Sequence, residues 1–319
     1  MSVVVQLPEA VLQLLPDFGA SQRCADHARS IAVDPGGTAI SAKAIILVET
    51  PRPWPKPVFD HQLLTGLGST MDLHLGAARV LAAEPRTEQT TPRVTTYERG
   101  EVGAISNVFE PTDRDALLDL FDQFANEFPS RVTDHRSKDL APELAVLVCT
   151  QGSHDICCGS DGVRFANDLE LAAPGLAVFR VSHTGGHRFA PTAMTLPDGR
   201  MWANLDVAAT LSILDLTGDA AELTARCRGW WGATTGPAQI AELAMLAEMG
   251  WDLDMLPREV DAIATDDGWR VDLTIAREPW VVDVIAGRVV PTIKCRAEGG
   301  LPAKQAQEYE VTAVRRQEK

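Results

Sequence analysis

The chain has 319 residues, 45% of them hydrophobic and 23% charged, enough to bury a substantial core shared by more than one unit. Its formal net charge of -15 would be repelled by nucleic acid and by anionic membrane alike, so neither is expected as a partner. Six cysteines at irregular spacing do not make a secreted disulfide framework, which points to a reducing cytoplasm.

The opening stretch, MSVVVQLPEAVLQLLPDFG, lacks the basic start of a leader and carries Pro8, Glu9, Pro16 and Asp17; it reads as an arm packed on the body. No run approaches the roughly 20 apolar residues of a membrane helix. Residues 1–135 read as a first α/β unit. In it Cys24 and His27 stand three apart, a spacing that could activate a thiol or share a metal, but no further ligand is near in sequence and Cys24 reads as a packed cysteine. Residues 42–49 (AKAIILVE) form a buried strand, Pro51-Arg52-Pro53-Trp54-Pro55 a stiff loop, and 73–83 a helix. Strands at 94–97 and 104–109 and a helix at 113–128 complete the unit.

Residues 136–236 read as a second unit of the same order, an internal duplication in which only the second copy carries cysteines and paired histidines. Ala145-Val146-Leu147-Val148 is a strand pattern, and Cys149 begins the turn after it. A helix at 162–173 closes at Pro174-Gly175, and a second strand at 176–181 ends at Ser182-His183. A strand, helix and strand of these lengths fit a parallel crossover, which brings the loop after each strand to one sheet edge. The segment 149–158 should therefore meet 183–187, where Gly185 and Gly186 let the chain curl so that both rings reach one metal. Next come strands at 192–196 and 201–205 around the turn Pro197-Asp198-Gly199-Arg200, then a helix at 207–217. The segment 226–237 breaks the pattern, with Trp230-Trp231 read as packing between units. Residues 237–319 form a small α+β appendage: an amphipathic helix stopped by Gly250, strands at 269–275, 280–285, 288–294 and 309–314, and a frayed tail. Cys227 and Cys295 have no chemical company in sequence, and His27, His61, His74, His135 and His154 read as core or surface histidines.

The chemistry concentrates in 145–191, which holds Cys149, Cys157 and Cys158 together with His154, His183 and His187. Soft sulfur and borderline imidazole donors this dense imply a metal centre. Structural zinc usually takes close pairs such as C-x2-C, and a C-x8-C loop suits a wider cofactor, but on the residues alone zinc and iron-sulfur both stay open. Here CTQGSHDICCG, SHTGGHRFAPT and LPDGR resemble the sucrase/ferredoxin-like family, most closely over 145–205 and less so over 20–60. The resemblance implies a thioredoxin-like ferredoxin domain at 136–236, and the parallel between AIILVETPRPW and AVLVCTQGSHD makes the preceding unit a degenerate thioredoxin-like copy of it. It also implies a 2Fe-2S cluster held by Cys149 and Cys158 (C-x8-C) and by His183 and His187 (H-x3-H), with Cys157 one position short of the register. The function implied is one-electron transfer with a redox partner protein, and imidazole ligation links electron uptake to proton uptake.

Two other classes compete with this. A zinc-stabilised interaction module would use the same four ligands. A thiol oxidoreductase would use Cys157 and Cys158, although adjacent cysteines form only a strained disulfide and no C-x-x-C is present. Sugar hydrolysis needs two facing carboxylates, and the sequence singles out no such pair among its 44 acidic residues, so a sucrase activity has no support. Arg188, beside His187, would favour a reduced, more negative cluster or pair with Asp155, which itself would shape the C-x8-C loop. An acidic carrier of this kind would favour a basic face on its partner.

Overall fold

The computed structural model describes residues 7–317 apart from 69, 74, 75, 87–90, 142, 154 and 155. Two short helices, α1 (Glu9–Leu12) and α2 (Cys24–Ser30), precede β1 (Ala44–Glu49). All six β1 residues are buried, as a strand covered on both faces must be. The run 73–83, which predicts a helix from its alanine content, instead supplies the end of β2 (Thr70–Leu73) and all of β3 (Gly76–Ala83). β3 pairs in parallel with β1 from Ala44↔Ala78 to Glu49↔Ala83, and Val80, Leu81, Ala82 and Ala83 are buried. Pairing inside the sheet outweighs the few tenths of a kcal/mol per residue by which alanine favours a helix. His74 lies outside the described residues. β4 (Val94–Arg99) runs antiparallel to β1, and β5 (Ala104–Phe109) antiparallel to β4. The helix α3 (Arg114–Asn126) follows, its first turn capped by Asp113, which accepts from the Ala116 N–H at 2.9 Å. Its Leu117, Leu120, Phe121 and Phe124 are buried, the i, i+3, i+4, i+7 spacing of one helix face.

The second half has the same wiring. β6 (Ala145–Cys149) leads through a π turn at Cys158–Gly162 into α4 (Val163–Ala172), and β7 (Ala177–Val181) then pairs in parallel with β6. β8 (Ala193–Leu196) runs antiparallel to β6 and β9 (Arg200–Trp202) antiparallel to β8, followed by α5 (Val207–Leu214). After α6 (Ala220–Thr224), the segment expected to be irregular forms a strand, β10 (Cys227–Trp230), on the free edge of β9. A bulge makes this possible, at Gly229 with φ of 134°. The strand order is β10-β9-β8-β6-β7-β3-β1-β4-β5, with β2 paired to β3. The two halves join through one antiparallel pair, Ala83↔Val181, at the ends of β3 and β7. Their C-terminal edges therefore meet head to head, and the loop after β1 is tied to the loop after β6. Gln151 Nε2 donates to the Pro55 carbonyl at 2.8 Å, and Ser153 Oγ to the Trp54 carbonyl at 2.8 Å.

The helix α7 (Gly236–Met249) has Thr235 as its cap and ends at Gly250, whose φ is 69°. It packs beneath a second, antiparallel sheet of β11 (Arg258–Thr265), β12 (Gly268–Ile275), β13 (Glu278–Thr292) and β14 (Lys304–Arg316). β11 adds to the expected strands, and 280–285 and 288–294 belong largely to one long strand that bulges between Ala286 and Val289. One core runs from Val146 and Leu169 through Leu243 and Leu246 to Val271 and Val282. Inside it Arg200 and Arg258 share two carboxylates: Arg200 reaches Glu242 at 2.9 Å and Asp254 at 2.6 Å, and Arg258 reaches them at 2.9 and 2.8 Å. Trp230 packs as expected, with the Arg258 guanidinium 4.2 Å and that of Arg99 5.5 Å from its ring. Among the described residues, no helix is long and apolar enough to cross a membrane.

Candidate metal centre

Cys149 is the last residue of β6, and the chain returns to it at Cys158 because backbone packs directly on backbone. A Cβ on Gly162 would lie 2.1 Å from the Cys149 carbonyl oxygen, and one on Gly159 would lie 2.3 Å from the Gly152 Cα. Only glycine permits either approach. Cys158 hydrogen-bonds the Cys149 sulfur, and this contact holds the Cys149 thiol well below its ordinary range. His183, through a hydrogen bond and its charge, and the Thr184 N–H act in the same direction, against burial. Cys149, Cys158 and His183 thus form one group.

Cys157 belongs to a second group. Its Sγ lies 3.5 Å from that of Cys24 and 3.6 Å from that of Cys295. The Cys24 sulfur is in turn 3.1 Å from His187 Nδ1. The sulfurs of Cys24, Cys157 and Cys295 all fall within 4.8 Å of one another, a spacing that could hold a metal ion. Cys24 is therefore not simply a packed cysteine, and Cys295 is not isolated. The first residue of α2 and a residue just past β13 converge on the β6 loop, an encounter no local pattern announces. His183 and His187 connect the two groups, with ring centroids 6.1 Å apart. Gly185 and Gly186, with φ of 76° and 70°, curl the chain between them. All four residues that the motif resemblance singles out, Cys149, Cys158, His183 and His187, lie at this one end of the sheet, and it is Cys158 that adjoins Cys149.

Buried arginines frame the site. Arg228 has no signal in the sequence beyond its place in RCRG. It donates to the Gly185 carbonyl at 3.2 Å and to the Thr192 hydroxyl at 3.1 Å, so it braces the histidine loop. Burial pushes its guanidinium down to about 10, opposed by the charge of Cys149 and Cys158. Arg188 is also buried, donates to the Thr292 hydroxyl and lies 4.8 Å over the Phe189 ring. Its expected partner Asp155, like His154, lies outside the described residues. Arg23 pins α2 to the π turn through Asp161 at 2.5 Å and Ser160 at 3.0 Å. His27 is buried on α2, and burial lowers its pKa, against a hydrogen bond to the Leu14 backbone.

Comparison with curated proteins returned no match, and comparison with solved structures returned none. A family model described as sucrase/ferredoxin-like matches residues 35–231. That stretch contains Cys149, Cys157, Cys158, His183 and His187 and leaves Cys24 and Cys295 outside it. Because the match spans more than half of the sequence, the chain belongs to the sucrase/ferredoxin-like family.

Proposed function

We propose that this protein is a one-electron carrier of the cytoplasm that holds a 2Fe-2S cluster through Cys149, Cys158, His183 and His187 and exchanges electrons with a redox partner protein. The observation that carries the reading is the gathering of the four donors at one sheet end: Cys149 and Cys158 touch each other, His183 contacts Cys149, and the His187 ring lies 6.1 Å from that of His183. Two thiolates for one iron and two imidazoles for the other is the Rieske-type division of ligands. The donors are soft and buried, and they sit among Arg228 and Arg188, which offset negative charge. Such a cluster supplies one-electron storage. The protein's own part is to hold the four ligands, exclude water and keep a proton on the outer imidazole nitrogens. His187 Nδ1 lies 3.1 Å from the Cys24 sulfur, so in this reading Nε2 is the nitrogen that would ligate the metal. Within this reading 136–236 is the thioredoxin-like ferredoxin domain, 1–135 its cluster-free duplicate and 237–319 a cap. The matching strand wiring of the two halves supports that division.

A second reading has its own observation. Cys24, Cys157 and Cys295 bring three sulfurs within 4.8 Å of one another, and His187 Nδ1 lies 3.1 Å from the Cys24 sulfur, donor types that also hold structural zinc. Metal analysis and an absorption spectrum of anaerobically purified protein separate the two. The carrier contains two irons and two labile sulfides per chain and is coloured. Cys149→Ala and Cys158→Ala lose the colour, and Cys157→Ala keeps it. Stoichiometric zinc without visible absorption, lost in Cys157→Ala, selects the second reading. For the carrier, the midpoint potential falls as pH rises once the outer imidazole proton can leave, and His187→Cys lowers the potential and flattens that slope.

A further inference from the structure

A recess of about 440 Å³ opens beside the thiol and imidazole donors, with His187 and Cys295 in its wall. Its rim carries Lys56, Lys294 and Lys304, all exposed, three of only six lysines in the whole chain. Among the described residues lining it there is no Asp or Glu, although the chain has 44 of them and a net charge of -15. The lysines come from three separate places: the loop after β1, the segment just past β13 and the first residue of β14. Each place is fixed to the site. The Lys56 loop is held through Gln151 and Ser153, and the segment holding Lys294 also delivers Cys295 to the sulfur group. Ser153 and Thr292 add hydroxyls to the lining.

We propose that this recess is a binding site for a small polyanion, a molecule with two or more carboxylate or phosphate groups, placed against the His187 and Cys295 wall. The volume is that of a small-molecule pocket, and its concavity suits a compact ligand better than a flat protein surface. Three ammonium groups around one cavity on an otherwise acidic chain create a local positive potential that draws anions inward. That potential is the reverse of what net charge alone suggests. Anion binding stands on the lysine geometry; its meaning as the mouth of a redox centre rests on the electron-carrier reading.

The test uses the full-length protein as purified, with inorganic pyrophosphate and citrate as probes, titrated calorimetrically at low ionic strength. Wild type should bind at least one of them at a single site, with affinity falling as salt is added. The variant Lys56→Gln/Lys294→Gln/Lys304→Gln should bind at least tenfold more weakly, while Lys138→Gln, a lysine elsewhere, should match wild type. These side chains are exposed, so an unchanged circular-dichroism melt verifies that the triple variant is folded. No binding of either probe to wild type, or equal binding by the triple variant, overturns the proposal. A second measurement reads the entrance. Ferricyanide takes one electron from the reduced protein and becomes ferrocyanide, and saturating pyrophosphate or the triple variant should slow that oxidation at least fivefold. Oxidation by cationic hexaammineruthenium(III) should not slow in either case. Anion binding without any effect on ferricyanide overturns the entrance role, and anion binding by a protein that has no reducible centre rejects the carrier reading alone.

Discussion

At the scale of single residues, the site depends on atoms that are missing. Gly162 lets the Cys149 carbonyl approach to where a Cβ would stand 2.1 Å away, with backbone that cannot swing aside. Gly162→Ala should therefore displace the π turn and separate Cys158 from Cys149. The expected outcome is loss of bound metal together with roughly 2–4 kcal/mol of stability by chemical denaturation, as for other overpacked buried positions. Metal content at wild-type level in Gly162→Ala would show that the turn can move without loss of the site. Asp198 offers a residue-level handle on pH. Burial and the neighbouring Asp254 carboxylate raise its pKa to about 6, against an ordinary 3.8. The folded protein thus holds a proton that the unfolded chain releases between about pH 4 and 6, so stability falls as pH rises through that window and levels off above it. With allowance for the partial exposure of Asp198, the drop is about 1–2 kcal/mol. Asp198→Asn should remove it, and denaturation midpoints at pH 4, 5, 6 and 7 measure the difference between the two slopes.

At the scale of elements, the ion network is what couples β9, α7, the turn after α7 and β11. Arg200 and Glu242 are fully buried, and Arg200 and Arg258 each pair with both Glu242 and Asp254. Taking away one cation leaves two buried carboxylates to a single arginine. Arg200→Met should cost about 3–5 kcal/mol, the penalty of an uncompensated buried charge. The exposed pair Arg270 and Asp272 lies at a similar 2.9 Å, yet Arg270→Ala should change stability by less than about 1 kcal/mol, because water and salt screen it. Equal effects in urea titrations of the two variants would show that the buried network is open to solvent. The helix α7 was visible in sequence through its amphipathic stripe and Gly250. The burial of Glu242 was not, since an acid on an amphipathic helix ordinarily faces water.

At the scale of the whole molecule, the appendage is continuous with the rest. Ala241, Leu243, Met245 and Leu246 of α7 share one core with Val146, Val148 and Trp202, and Cys295 completes the sulfur group. A chain ended at residue 236 would expose that face of the large sheet and lose one of three thiols. It should fail to fold as a two-state unit and should bind hydrophobic dye, rather than persist as a smaller working protein. A soluble 1–236 fragment with a cooperative thermal transition would refute this.

The sequence by itself determined the parts whose causes are local. The all-apolar runs AIILV and AVLV mark central strands, the helices α3 and α7 follow from their apolar patterns and from Gly250, and the crossover from β6 to β7 places the 149–158 loop against 183–187. The gathering of Cys149, Cys158, His183 and His187 at that edge was also legible, because the two strands that carry them are joined by that crossover. Tertiary structure decided the rest. Alanine-rich 73–83 becomes strand because β1 pairs with β3 along its length and the ends of β3 and β7 join the two halves, so its hydrogen-bond partners lie far from it in the chain. Cys24 and Cys295 join the site from positions 133 residues before and 138 residues after Cys157. Lys56, Lys294 and Lys304 gather from both ends of the chain into one basic recess on an acidic protein. Periodicity and spacing describe neighbours along the chain, whereas packing selects neighbours in space, and at this sheet edge the two sets differ.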